Sequence, residues 1–355
     1  MKILYVTTGL GRGGAEKVVC DLADKMIDMG HEVKIAYLTG EIFARPTKPE
    51  IEILALNLNS TRDFAAASKK YRKLIKAFRP DVVHAHMVHA NLFIRLNRMV
   101  CRVPKIVCTA HSSNEGGAIR MLAYKMTNFL SDTNTHVSQE AKDIFVAKRA
   151  FTENNLITLY NGIDIQRYKK STDRTKADED VLNIIAVGRF YDPKDYPNLI
   201  HAYALLIKNT HQKTKLTIVG EGELRSQIEQ LIQELNLNDS IALLGHRTDI
   251  PLLLSQSDVF VLSSKFEGLP TVVIEAMACE CYVVATDCGG TAEILGDTGK
   301  LVPIQDSQAL ADALEEVLSL SMEDRLDNNK KARARVEQLF SLESSVEKWL
   351  EIYEK

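Results

Sequence analysis

Several features are missing from this sequence, and each absence excludes something. No apolar run approaches the roughly 18–20 residues that a bilayer-spanning helix needs, so no transmembrane segment is expected. No basic segment, long apolar run and small-residue cleavage site precede the first strand-like stretch, Lys2 to Thr8, so no signal peptide is expected. The six cysteines are scattered, at 20, 101, 108, 279, 281 and 288. The close pair Cys279-x-Cys281 has no second pair to complete a zinc site, and buried free thiols in a reducing compartment are the simpler reading. Internal repeats and low-complexity segments are absent. No aromatic-plus-basic motif of a nucleic-acid-binding module is present, so nucleic acid is not an expected partner.

What is there fits a soluble globular protein: 45% hydrophobic and 26% charged residues. A chain of 355 residues is too long for one ordinary core and suits two domains. The formal net charge of −3 conceals an asymmetry. Residues 1–160 hold 23 Lys and Arg against 15 Asp and Glu, or +8; residues 161–355 hold 21 against 32, or −11. A basic half suggests an anionic partner for the N-terminal domain.

Both halves alternate short apolar, β-branched runs with stretches of helical spacing. In the first half the runs are Ile3–Thr8, Val33–Leu38, Ile51–Leu56, Asp81–Ala85, Lys105–Ala110 and Thr135–Ser138, with helices such as 15–29, 64–79 and 118–130. In the second they are Asn183–Val187, Leu216–Val219, Ile241–Leu244, Val259–Leu262 and Val283–Thr286, with helices near 197–208, 223–236, 271–279 and 307–318. Continuous apolar strands between helices predict parallel sheets covered on both faces, an α/β class with two doubly wound domains. Asn161-Gly162-Ile163-Asp164 and the polar stretch from Gln166 to Asp180 mark the hinge. The tail, roughly 323–353, reads as helix with Trp349 among its apolar anchors. Ligands of open α/β sheets bind beyond the strand C-termini, so the informative motifs are those just after strands.

Three such motifs lie in the second half. Gly188-Arg189 follows a strand, with Lys194 five residues past the arginine. Arginine offers phosphate oxygens a planar fork, and lysine a mobile point charge. Gly220-Glu221-Gly222 is a glycine turn between strand and helix. Glu267-Gly268-Leu269-Pro270-Thr271 opens a helix carrying Glu275. The N–H groups of Gly268, Leu269 and Thr271 can face a diphosphate at that helix start. Glu267 and Glu275, eight positions apart, can each accept two hydroxyl hydrogen bonds from a sugar or a ribose.

With Glu275-Ala276-Met277-Ala278 and Gly289-Gly290-x-x-Glu293, this series resembles glycosyltransferase family 4 and its GT-B fold. The first half is similar through Gly11-x-Gly13-Gly14-Ala15-Glu16, Asp81-Val82-Val83-His84-Ala85-His86, His111 and the Asn161–Asp164 linker. The resemblance implies two Rossmann-like domains facing a cleft, retention of anomeric configuration, no metal or other cofactor, and a final helix crossing back to the N-terminal domain. It implies domains at 1–163 for the acceptor and 164–335 for the nucleotide-sugar, with 336–355 as the returning helix. Arg189 and Lys194 would neutralise the diphosphate, Glu275 would hold the ribose, and Glu267 would bind the donor sugar. Gly14, Gly188, Gly220, Glu221, Arg247, Gly268, Leu269, Pro270 and Thr271 would complete the donor site. After Met277 the family usually shows a glycine and then a proline; here the stretch reads Ala278-Cys279-Glu280-Cys281-Tyr282.

Gly9-Leu10-Gly11-Arg12-Gly13-Gly14 also satisfies the dinucleotide pattern Gly-x-Gly-x-x-Gly. An NAD-dependent dehydrogenase would want an acid ending the second strand, but Thr39-Gly40 stands there, with Glu41 beyond. His84-x-His86-x-x-His89 suggests metal, yet no Cys, Asp or Glu completes a four-ligand set. A polar pair lining the cleft is expected instead. The resemblance implies the acceptor side for Gly13, His84, His86 and His111, with His111 also near the transferred sugar. The helix over 64–79 places Tyr71, Leu74, Ile75 and Phe78 on one stripe and six basic residues around it. That basic excess is what an anionic leaflet attracts.

The function expected is transfer of a hexose or N-acetylhexosamine from a nucleotide diphosphate-sugar, by the family's habits a UDP-sugar. The acceptor would be lipid-linked or a polysaccharide, and the location cytoplasmic, peripheral at the inner face of the plasma membrane. A non-catalytic sugar-nucleotide-binding partner of a synthase is the alternative.

Overall fold

A computed structural model describes residues 1–11, 13–112, 116–171 and 181–355. They form two compact units, Met1–Ile163 with Ser341–Lys355, and Asp164–Phe340.

The first unit runs β1 (Lys2–Thr7), α1 (Gly14–Asp28), β2 (Glu32–Tyr37), β3 (Glu52–Ala55), α2 (Phe64–Phe78), β4 (Val82–His86), α3 (Val88–Arg98), β5 (Lys105–Ala110), α4 (Ala118–Thr127), β6 (Thr133–His136), α5 (Gln139–Ala147) and β7 (Ile157–Thr158). Its sheet has the order β3-β2-β1-β4-β5-β6-β7, every pair parallel. The order reverses between β1 and β4, which is where such sheets open a crevice. Helices cover both faces, so a central strand such as β4 is buried along its whole length. In α2, Tyr71, Leu74, Ile75 and Phe78 are spent on the core, while Lys69, Lys70, Arg72, Lys73, Lys76 and Arg79 stay exposed.

The second unit runs β8 (Val181–Val187), α6 (Tyr196–Asn209), β9 (Lys213–Val219), α7 (Arg225–Glu234), β10 (Ile241–Leu243), α8 (Ile250–Ser255), β11 (Val259–Leu262), α9 (Thr271–Ala278), β12 (Tyr282–Thr286), α10 (Thr291–Leu295), β13 (Lys300–Val302), α11 (Ser307–Ser319) and α12 (Met322–Leu339). Its parallel order β10-β9-β8-β11-β12-β13 reverses between β8 and β11. β7 and β13, of two and three residues, are strands that the apolar runs of the sequence do not include.

The tail is two helices rather than one. α12 stops at Leu339, and Ser341 starts α13 (Leu342–Glu354) by accepting a hydrogen bond from the Ser344 N–H. A single helix across 323–353 is therefore corrected. α13 belongs to the first unit: Leu342, Val346, Trp349 and Tyr353 recur at helical spacing and are buried in its core. Leu342 N–H donates to the Ile163 carbonyl at 2.8 Å, tying the two segments of that unit together.

The turn after Met277 forms without the family's glycine. Glu280 takes φ +57, and Cys281 N–H donates back to Ala276 at 3.0 Å, closing the C-terminus of α9. Among the described residues no helix is long and apolar enough to cross a membrane.

Candidate functional site

In the second unit, the loops after β8, β9 and β11 meet where the strand order reverses. β8 hands over to Gly188, whose N–H donates to Val219 at 2.9 Å and whose carbonyl accepts from Tyr196 OH at 2.8 Å. Gly220 lies against the Gly188 carbonyl oxygen so closely that an added Cβ would overlap it, and its φ is +154. Glycine is required there by close approach. Phe190 N–H donates to Glu221 at 2.8 Å, so the turn after β9 is locked to the loop after β8.

The loop after β11 joins them. Lys265 N–H donates to Pro193 at 2.8 Å, and Ser263 Oγ donates to the Lys194 carbonyl at 2.9 Å. These bonds bring the Lys194 Nζ to 2.6 Å from Glu267 Oε1, which also accepts from Ser264 Oγ at 2.6 Å. The side chains of the pair keep only 14% and 12% of their accessible surface, so water screens them little. Burial alone would lower the Lys194 pKa; the charge and hydrogen bond of Glu267 outweigh it, and the net shift is upward. On the far side, Gly289 at φ +56 abuts the carbonyls of Glu267 and Gly268, and Gly290 N–H donates to Gly268 at 2.6 Å.

α9 begins at Thr271 behind Pro270, with Leu269 buried beside it. Its first-turn amides look out of the helix end, an anion-favouring arrangement next to the Lys194 ammonium. Glu275 is buried on the same helix. Cation, carboxylate and helix N-terminus in one corner can hold a diphosphate and the hydroxyls attached to it.

Other candidates of this half are turned elsewhere. Arg189 is exposed, its guanidinium 4.2 Å from the centre of the Tyr191 ring. Arg247 is exposed and held by Asp249 in a two-point ion pair at 2.6 and 2.8 Å. Glu221 is paired with Arg225. Each of these must leave its present partner to reach a nucleotide.

In the first unit, His84 and His86 share one face of β4, their ring centroids 3.9 Å apart. The expectation that His84 meets the acceptor is corrected. His84 is fully buried, with Nδ1 at 2.6 Å from Tyr353 OH and Nε2 at 2.7 Å from Thr109 Oγ1. Both nitrogens are used to dock α13 and tie β4 to β5, which is a structural duty. His86 is also buried; its Nδ1 lies 2.9 Å from Nε2 of His111, which is partly exposed at the end of β5. The other ring nitrogen of His86, Nε2, is buried and finds no hydrogen-bond partner among the described residues.

Burial, reinforced by His136, pushes the His111 pKa down to about 3, and burial holds His136 at about 4. Burial likewise holds His84 and His86 well below the usual value. This group is neutral near pH 7. Gly13 is the N-cap of α1 and Gly14 its first residue. Arg12 of the Gly9–Gly14 motif, and residues 172–180 of the polar linker, lie outside the described residues. Among the described residues no three His, Cys, Asp or Glu side chains gather as a metal site.

Sequence reasoning gave no role to Ser264, Tyr191 or Tyr196. Ser264 stands three residues before Glu267, a spacing at which a hydroxyl reaches a carboxylate across a turn, so a local signal existed. The Tyr196 bond to Gly188 depends on how α6 lies on β8, which the sequence pattern does not reveal.

Two family models divide the chain: residues 168–335 match Glycosyl transferases group 1, and residues 12–167 match Glycosyltransferase Family 4. The N-acetylgalactosamine-N,N'-diacetylbacillosaminyl-diphospho-undecaprenol 4-alpha-N-acetylgalactosaminyltransferase of Campylobacter jejuni is 27% identical over 343 residues, 92% of each chain. The N-acetyl-alpha-D-glucosaminyl L-malate synthase of Bacillus anthracis is 27% identical across 96% of this chain and 93% of its own. The crystal structure of Anabaena HepE in complex with UDP superposes with a TM-score of 0.84 at 22% identity, covering 99% of both chains. Its likeness establishes the architecture, two Rossmann-like parallel-sheet units of the GT-B fold. With a glycosyltransferase model matching each half, the chain belongs to glycosyltransferase family 4.

Proposed function

We propose that this protein is a retaining glycosyltransferase that moves a hexose or N-acetylhexosamine from a UDP-sugar to a lipid-linked or polysaccharide acceptor. The observation that carries this reading is the Lys194–Glu267 pair, held at the strand-order reversal of the second unit beside the N-terminus of α9. Lys194 and the α9 amides would take the diphosphate, and Arg189 would swing from Tyr191 onto its outer oxygens. Glu275 would accept the ribose hydroxyls and Glu267 the hydroxyls of the sugar. These groups supply positive charge without a metal, so the reading requires none.

In the step we favour, the bond from the anomeric carbon to the phosphate oxygen breaks and its electron pair leaves with the diphosphate. The acceptor oxygen attacks from the same face, and its proton passes to the departing phosphate. Charge then grows on the leaving oxygen, where fixed cations act most strongly. His111, neutral at pH 7, would offer a hydrogen bond to the sugar or the acceptor, without a charge that repels an oxocarbenium-like carbon.

Support for UDP comes from the HepE complex, and for a lipid-linked acceptor from the name of the Campylobacter relative. Such an acceptor would place the enzyme at the cytoplasmic face of the plasma membrane. Radiolabelled transfer by the purified chain from a set of UDP-sugars to a detergent-solubilised membrane extract tests the proposal. Label in the lipid fraction supports it. Nucleotide-sugar binding without turnover would instead favour a non-catalytic partner of a synthase.

A further inference from the structure

At the end of β4, two unusual features adjoin. Met87, the residue after His86, has φ +72 and ψ 157. That region is nearly confined to glycine, and another residue persists there only where its surroundings hold it. They do so here: Met87 N–H donates to the Thr109 carbonyl at 3.0 Å, and Asn91 Nδ2 donates to the same oxygen at 2.9 Å. Strain of this kind gathers at functional sites. The second feature is His86 itself, which is 1% exposed. Its ring packs against those of His84, with centroids 3.9 Å apart, and Tyr5, at 5.8 Å.

His86 makes one hydrogen bond, between its Nδ1 and His111 Nε2, at 2.9 Å. Both rings are neutral near pH 7, so each carries a single ring proton, and one must donate while the other accepts. Two arrangements satisfy that. In the first, His86 is protonated on Nε2 and accepts from His111. Its N–H is then buried with no acceptor among the described residues. His84 cannot supply one, since its two nitrogens are taken by Tyr353 and Thr109, and the Tyr5 hydroxyl is turned to Tyr353. In the second, His86 is protonated on Nδ1 and donates to His111, and only a lone pair goes unmatched. Among buried polar groups an N–H without an acceptor is rarer than an acceptor short of a partner, so the second arrangement is favoured. His111 then accepts at Nε2 and carries its own proton on Nδ1, away from His86.

We infer that His86 is a positioning residue for sugar transfer: it donates from Nδ1 to His111 Nε2 and so holds His111 as an Nδ1–H donor. The inference rests on the proposed reading of His111 as a hydrogen-bond donor to the sugar or the acceptor, and it says how that donor is made. A neutral imidazole can carry its proton on either nitrogen; a fixed partner at one nitrogen decides the state of the other. The two histidines of β4 thus divide the work. His84 docks α13 through Tyr353, and His86 sets a proton on the ring that follows β5.

Ring-nitrogen NMR of the full chain with isotope-labelled histidine tests the bond. His111→Asn assigns one ring among the nine histidines, and the coupling across the N–H···N bond identifies its partner. The expected spectrum has the protons of His86 and His111 each on Nδ1. Transfer from the UDP-sugar tests the consequence. His86→Phe keeps an aromatic ring against His84 and loses the donor. Its kcat should fall about tenfold, the worth of one oriented hydrogen bond, with KM for the UDP-sugar changed less. His86→Asn loses the ring but can place an amide N–H where Nδ1 stands, and should keep most of the rate. A role in packing alone predicts the reverse order, because phenylalanine fills the space and leaves no polar atom unmatched. A His111 proton on Nε2 overturns the inference, as does a wild-type rate in His86→Phe or a greater loss in His86→Asn than in His86→Phe. Should either variant fail to fold, the wild-type spectrum still decides. The expected ring signals in a wild type that transfers no sugar would count against the proposed reaction and leave the His86–His111 bond standing.

Discussion

Lys194 and Glu267 stand 73 positions apart in the chain, yet their charged atoms are 2.6 Å apart across the two central strands of the second sheet. A buried pair of this kind is costly to halve. Lys194→Ala would leave the carboxylate without its ammonium, and Glu267→Leu the reverse, each at about 3–5 kcal/mol. Removing both, Lys194→Met with Glu267→Leu, should cost less than either alone. Urea unfolding of the three variants measures this; single variants as stable as the wild type would show that the pair is solvated.

The same pair sets a pH expectation. The Lys194 pKa is raised above that of a free lysine, so its stabilising effect is complete below the ordinary lysine value. It is lost only as the pH climbs through the higher folded value. The rate profile should therefore show no ionisation of Lys194 near neutrality. A basic-side inflection near pH 8 that disappears in Lys194→Arg would contradict this.

The buried histidines make stability sensitive to acid. Their folded pKa values, about 3 for His111 and about 4 for His136, lie below the usual 6.5, chiefly through burial. The unfolded chain thus takes up protons first, and stability falls as the pH drops from about 6.5 toward the folded values. Each histidine contributes up to about 1.4 kcal/mol per pH unit in that window. Urea midpoints at pH 7 and pH 5 should differ, and His136→Asn should narrow the gap. Equal midpoints for the wild-type protein would reject the assignment.

Glu280 occupies a left-handed position, φ +57, where the family usually has glycine. A side chain there carries strain of about 1 kcal/mol. Glu280→Gly should raise the thermal midpoint and leave turnover unchanged. A lower midpoint would mean that the glutamate side chain contributes more than the backbone strain costs.

Gly220 fits against the Gly188 carbonyl without room for a Cβ. Gly220→Ala must push the loops after β8 and β9 apart, and with them Lys194. UDP affinity by calorimetry should fall at least tenfold, roughly the 1–3 kcal/mol expected of a forced backbone strain. Unchanged affinity would remove this loop from the donor site.

Much of this was legible in the chain. Strands buried on both faces are continuous apolar runs, so β4, β5, β11 and β12 show in sequence. So do the glycines and charges at their ends. The pairing of Lys194 with Glu267 is not legible, because the two lie in separate motifs 73 positions apart; only the loop-to-loop bonds through Pro193 and Ser263 bring them together. The burial of His84 is not legible, because alternation gives the face of a strand but not what covers it. What covers it is Tyr353, almost at the end of the chain.

The central claim is that Lys194 and Arg189 carry the departing diphosphate. Its most direct test is the rate of sugar transfer by purified wild-type, Lys194→Ala and Arg189→Ala proteins from the UDP-sugar that the wild type uses. Loss of one such cation should lower turnover by about two orders of magnitude or more, with Lys194→Ala the more severe because that ammonium is already in place. Near-normal transfer by both variants would contradict the account.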